Sequence, residues 1–214
     1  MKSTTLIVPG LDNSGAGHWQ SWLEERVDDA HRVQQQNWAE ATIADWTSRV
    51  GEAIDAAIGP IWVVAHSFGC LAAVKAAVDC SDRVAGALLV APANPERFSE
   101  RGLEPNSGAA SIVPLIPHQP LGFPSVVVAS SNDPWMRLTA ASVWANRWGS
   151  QFECIGRAGH INVESGHGPW PKGLDLFERF RTAHGGEPLG AIEAKNGNAH
   201  TRRGERMLEQ QWLG

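Results

Sequence analysis

Ile61-Trp62-Val63-Val64-Ala65 is an unbroken apolar run, with Pro60 before it and an alanine-rich stretch, Phe68 to Val78, soon after it. A run this short and this apolar offers no polar face to water. It fits a strand buried on both sides, the kind found in parallel sheets covered by helices. The unit recurs. Leu6-Ile7-Val8 reads as a further short buried strand, Val84 to Ala91 and Ser125 to Ser130 as strands, and Ser150 to Ile155 as the last strand. His31 to Gln36 is polar and is expected at a sheet edge, where polar side chains shield unpaired backbone.

Helical periods fill the gaps. Trp19, Trp22, Leu23 and Val27 recur at helical spacing, as do Ile43, Trp46, Val50, Ile54 and Ile58. Leu71, Val74 and Val78 lie within the alanine-rich stretch; Leu138, Ala141, Trp144 and Trp148 mark another helix, and Leu174, Phe177 and Phe180 a final one. Strands alternating with helices predict an α/β protein with a doubly wound, mostly parallel sheet of about six strands, since right-handed crossovers prune the topology to that. Residues 92–124 are rich in Pro, Gly and Ser without a period, and are expected to form a surface excursion, a small flap. One domain over residues 1–184 is expected. Residues 185–214 are polar and Gly-bearing, and are expected to be a flexible tail or, through Met207, Leu208 and Trp212, a short docking helix.

The formal net charge is −5, which argues against nucleic acid as a partner, because phosphate binding is driven by clustered Lys and Arg. No apolar run approaches the roughly 20 residues of a membrane span, and the first residues lack a signal-peptide pattern. Cys70, Cys80 and Cys154 match neither a disulfide framework nor a zinc signature. A cytoplasmic protein without membrane, metal or cofactor is the expectation. No motif specifies a protein partner.

The stretch that carries chemistry is Ala65-His66-Ser67-Phe68-Gly69. Strand, sharp turn and helix in succession make the nucleophile elbow, usually written Gly-x-Ser-x-Gly. The turn lifts a serine hydroxyl clear of the sheet, and small residues on either side let strand and helix backbones approach. Ala65 departs from the strict pattern by one methyl group. Serines at helix N-termini commonly serve only as caps; its place at the end of a buried strand marks this one out. A serine nucleophile needs a base, and the base an orienting acid. His66, adjacent in sequence, is expected to point away from the working face. Asp133 falls in the loop after the Ser125–Ser130 strand, and His160 just after the last strand. Ser67, Asp133, His160 is the chain order of α/β-hydrolases, at the sheet edge where such folds place their sites.

The glycine-rich loop after the first strand, Gly10 to Gly17, resembles a phosphate loop. Yet Ala16-Gly17 stand where a Walker motif needs Lys and a hydroxyl, and Gln20 replaces the third glycine of a dinucleotide fingerprint. A serine nucleophile needs an oxyanion hole instead. The backbone amide of Phe68 supplies one donor. The loop after the first strand supplies the second, because a sheet order such as 2-1-3-4-5-6 puts that loop beside Ser67. Leu11 is the expected donor, with Asp12 next.

The segments VPGLDNSGAGHWQSWLE, AHSFG, ASSNDPW and GHINVESGHGPWPKG resemble the small serine hydrolases that include retinoblastoma-binding protein nine and the YdeN-like bacterial proteins. The resemblance covers roughly residues 4–184. It implies a compact α/β-hydrolase fold with little or no lid, and a catalytic triad mapping onto Ser67, Asp133 and His160. It names no substrate, and residues after His184 lie outside it.

A serine hydrolase cleaving a small-molecule acyl substrate through an acyl-serine, carboxylic esters first, is thus the expected function. Activity should rise with pH through an ordinary histidine pKa of about 6.5 to 7. Asp12, His18, Trp19, Trp135 and Trp170 are the candidate pocket residues. Cys70 is expected in the core. His18, His66 and His160 are expected to converge near the site, without the acid or Cys that would make them a metal set. The alternative is a non-catalytic binding or scaffold protein on a hydrolase fold, its elbow a relic.

Overall fold

The computed structural model describes residues 3–103 and 108–186. The expected tail helix at Met207–Trp212 lies outside the described residues. Among the described residues six strands form one sheet: β1 (Thr4–Val8), β2 (Ala30–Arg32), β3 (Ile61–His66), β4 (Val84–Val90), β5 (Ser125–Ala129) and β6 (Gln151–Cys154). Their order is β2-β1-β3-β4-β5-β6 and every pairing is parallel. This is the doubly wound sheet expected of an α/β-hydrolase. β1 and β3 are neighbours, with Val8 opposite Ala65, so their carboxyl ends meet at the switch point.

Among the described residues five α-helices cover the sheet: α1 (Trp19–Glu24), α2 (Ile43–Ala56), α3 (Phe68–Val78), α4 (Leu138–Trp148) and α5 (Pro171–Ala183). Alternation along β3 divides the core. Ile61, Val63 and Ala65 pack with residues of α2, α3 and α4; Trp62 and Val64 pack with α1 and α5. α3 lies close against the sheet because it is small-faced. A Cβ on Gly69 would sit 2.2 Å from the Pro9 carbonyl oxygen, so no larger residue fits between the start of α3 and the end of β1.

Three sequence expectations shift. β2 is three residues, Ala30–Arg32, rather than His31 to Gln36, although it does lie at the edge. α2 stops at Ala56 and leaves Ile58 78% exposed, because Ala57 is already extended and Gly59-Pro60 turns the chain into β3. The excursion at 92–124 is more than surface: Phe98, Ile112, Ile116 and Leu121 are buried in the core. Among the described residues no helix is long and apolar enough to cross a membrane.

Candidate active site

Ser67 follows β3 and precedes α3 with φ 53° and ψ −127°, a conformation L-residues seldom adopt. That turn points its hydroxyl towards the loop after β6. There, Ser67 Oγ and His160 Nε2 are 2.8 Å apart. His160 Nδ1 lies 3.0 and 2.9 Å from the two carboxylate oxygens of Asp133. A nitrogen facing a carboxylate carries the proton, so Nδ1–H donates to Asp133 and Nε2 is left to accept from Ser67. The Asp133 side chain is 2% exposed and that of His160 9%, so water competes little for either.

The two loops that meet here are tied together. Asn132 Oδ1 accepts from the Gly159 amide and the Ser130 hydroxyl, both at 2.9 Å, and Ser130 Oγ accepts from the Ala158 amide at 2.9 Å. The Trp135 amide donates to Asp133 Oδ1 at 2.8 Å, which fixes the carboxylate from its own loop. Sequence reasoning passed over Ser130 and Asn132, although both sit in the quoted ASSNDPW segment.

His66 holds His160 from behind. Its Nε2–H donates to the His160 carbonyl at 2.9 Å, and their rings lie 5.0 Å apart. It does not point away from the site as expected; it borders the same cavity as Ser67. His18 packs 5.0 Å from His66, so the three histidines do converge. Burial pushes His66 well below the usual histidine range, helped by the neighbouring histidines. Burial, with the Arg32 charge, lowers His18 to about 4. His18 Nδ1 accepts from the Gln20 amide at 3.1 Å and caps α1. Gln20 is fully buried and donates to the carbonyls of Val8 and Val64, joining the carboxyl ends of β1 and β3.

Gly10 passes directly over Ser67. A Cβ there would lie 2.7 Å from Ser67 Cβ and 3.3 Å from its Oγ. No acceptor among the described residues takes the amides of Leu11 or Phe68. The Asp12 amide, the second expected donor, is already committed to the Trp38 carbonyl at 3.0 Å. Asp12 is therefore corrected from oxyanion donor to loop anchor, with its side chain at the cavity rim.

The cavity over Ser67 measures about 340 Å³, and Leu11, Asp12, His18, Phe98, Trp135 and Val163 are among its walls. Of the expected pocket residues, Asp12, His18 and Trp135 line it, and Trp19 and Trp170 do not. Trp19 is fully buried and its indole N–H donates to the Ile161 carbonyl at 2.8 Å, beside His160. Trp170 is half-buried edge-on to Trp19, ring centroids 5.2 Å apart. Arg97, from the 92–124 excursion, lies 4.0 Å over the Trp135 ring and donates to the Pro134 carbonyl at 3.0 Å. Cys70 is buried behind Ser67, and burial raises its thiol pKa well above the ordinary value.

A model of the serine hydrolase family matches residues 5–179. Among solved structures, a YdeN-like hydrolase of Pectobacterium atrosepticum is 36% identical with a TM-score of 0.76, over 85% of this chain and 92% of that one. The ydeN gene product of B. subtilis is 18% identical with a TM-score of 0.66, over 85% of this chain and all 100% of that one. Est1E of Butyrivibrio proteoclasticus, solved with ferulic acid, is 13% identical with a TM-score of 0.67, over 86% of this chain and 89% of that one. The last two likenesses are of fold. No curated protein matches the chain.

Proposed function

The chain belongs to the serine hydrolase family, and we propose from that premise that it is a carboxylesterase for small acyl esters, with Ser67, His160 and Asp133 as its catalytic triad. The observation that carries this reading is the unbroken relay from the strained Ser67 hydroxyl through His160 to the buried Asp133 carboxylate.

In this mechanism, His160 Nε2 takes the Ser67 proton as Oγ attacks the ester carbonyl. Asp133 keeps the proton on Nδ1 and stabilises the imidazolium. The amides of Leu11 and Phe68 donate to the tetrahedral oxyanion, each worth about 100- to 1000-fold in turnover. His160 returns its proton to the leaving alcohol, and acyl-Ser67 remains. Water, deprotonated by His160, then attacks the acyl carbonyl; Ser67 leaves and recovers its proton. Leu11, Phe98 and Val163 give the cavity apolar walls for an acyl chain. No metal or cofactor enters any step. The catalytic domain of this reading is residues 1–184.

The relic-elbow alternative rests on Ala65 alone among the described residues. Ala65 is fully buried in register with Val8 and Leu89, and its methyl sits in the core without displacing Ser67. The test is a fluorophosphonate probe, with the adduct located by mass spectrometry. Labelling at Ser67 that disappears in Ser67→Ala, with matching loss of short-chain nitrophenyl ester turnover, is expected. A folded protein that does not label would overturn the esterase reading.

A further inference from the structure

Two histidines on the wall of the cleft stand outside the triad, His18 and His66, each 5% exposed. Their hydrogen bonds fix their tautomers. His18 Nδ1 accepts from the Gln20 amide at 3.1 Å, so the proton of the neutral ring sits on Nε2. His66 Nε2 faces the His160 carbonyl at 2.9 Å and must donate to it, so Nδ1 keeps a bare lone pair. Burial holds both rings neutral. Neither His18 Nε2–H nor His66 Nδ1 has a hydrogen-bond partner among the described residues. Nor are they sealed in, as the unpartnered indole nitrogens of Trp46 and Trp62 are. Both rings line the cavity over Ser67, so the surface these two atoms keep opens on it. The wall thus offers one donor and one acceptor side by side, and buried polar groups of this kind are seldom left unmet.

Given the esterase reading, on which this inference rests, we propose that His18 and His66 form a subsite for a hydroxyl carried close to the scissile ester, so that hydroxy-esters are preferred over plain alkyl esters. A hydroxyl accepts from His18 Nε2–H and donates to His66 Nδ1 through one oxygen. Ring centroids 5.0 Å apart leave a gap that one oxygen, at hydrogen-bond distance from each nitrogen, can span. Other groups meet half of the pair at most. A carboxylate has no proton for His66, and Asp12 and Glu164, the only charged side chains on this wall beside the histidines, repel it. An ammonium accepts nothing from His18. A methyl group serves neither nitrogen and pushes out a water that could serve both. The pair also stands next to the chemistry. The His66 ring lies 5.0 Å from that of His160, whose Nε2 meets Ser67 Oγ at 2.8 Å. A hydroxyl held there is a few bonds from the carbonyl under attack, on the acyl chain or on the alcohol.

Isosteric ester pairs test this on the full chain. Ethyl hydroxyacetate is compared with ethyl propanoate, which has a methyl in place of the hydroxyl, and 2-hydroxyethyl acetate with propyl acetate. Each kcat/KM is divided by the rate constant of the same ester with hydroxide, which removes the inductive effect of the hydroxyl. At least one pair should favour its hydroxy-ester by about tenfold or more. Preference in the first pair places the hydroxyl on the acyl side, preference in the second on the alcohol side. His18→Ser keeps an oxygen to cap the Gln20 amide but removes the ring N–H, and should bring the ratio close to unity. If that variant does not fold, the wild-type ratios decide. Ratios close to unity in both pairs, with fluorophosphonate still labelling Ser67, overturn the hydroxyl subsite and leave the esterase standing. So does a preference that His18→Ser leaves intact. A folded wild type that neither labels nor turns over any ester sinks the esterase reading, and the subsite with it.

Discussion

At the carboxyl ends of the strands lie all the non-glycine residues with positive φ among the described residues: Asp12 and Asn13 after β1, Ser67 after β3, Ala91 after β4, and Ile161 beyond β6. At the amino ends of β1 and β2 the chain is relaxed and charged instead. There Arg181 of α5, 3% exposed, donates to Asp29 at 3.2 Å and to Ser3 and Thr5 at 3.0 and 3.2 Å. Burial pushes the Asp29 pKa up, but hydrogen bonds from Ser3, Arg181 and Thr5 outweigh it and hold the carboxyl below 3.8. One edge stores conformational strain, of order 1–3 kcal/mol per residue, and keeps its buried histidines His18 and His66 neutral. The other buries an ionised pair. Strain gathers where a hydroxyl must be aimed, and the opposite edge is free to be stable.

The largest expected effect breaks the strained edge. Ser67→Gly removes the nucleophile and should lower ester turnover by about a million-fold. Glycine also adopts positive φ without a Cβ clash, so the same change should raise stability by about 1 kcal/mol. Turnover and urea unfolding on one preparation check both; a loss of stability would mean the elbow holds no strain. Next comes the relaxed edge. Arg181→Met leaves Asp29 without its cation and should cost about 3 kcal/mol. Turnover per folded molecule, normalised by fluorophosphonate titration, should stay the same. A fall in that normalised rate would show that the two ends are coupled.

The legible parts of this molecule were those set by local pattern. The apolar run at β3 announces a buried parallel strand, and the chain order of Ser67, Asp133 and His160 puts all three after strands, on one sheet edge. What stayed hidden was set by partners distant in sequence. Trp19 and Trp135 both follow turn-rich loops, yet one indole is spent on the Ile161 carbonyl and the other faces the cavity. Gln20 and Gln35 are both buried glutamines, 0% and 7% exposed, one bonded and one not. His66 gained its place only because the loop after β6 folds back to offer a carbonyl. Ile58 fits the period of α2, but Gly59 and Pro60 decide where the helix ends.

Acid should open the two edges in different windows, and His18 separates them. Burial, then the charges of Arg32, His160 and His167, lower its pKa from 6.5 to about 4. Above pH 6.5 it is neutral folded and unfolded, and its stability contribution is intact. Between 6.5 and about 4 the unfolded chain takes up a proton that the folded protein refuses, so stability falls, by on the order of 3 kcal/mol once the lower limit is reached. Asp29, held below 3.8, begins to lose its contribution only as the pH drops through that value. His18→Asn keeps a side-chain oxygen to accept from the Gln20 amide, as N-caps do, and has nothing to titrate. Urea midpoints of the variant should therefore fall less than those of the wild type from neutral pH down to about 4, and the two should fall in parallel below that. Equal losses across the upper window would mean that His18 takes up its proton in the folded protein as readily as in the unfolded chain. The carboxyl edge would then owe its acid sensitivity to His66 and His167, whose burial lowers them as well.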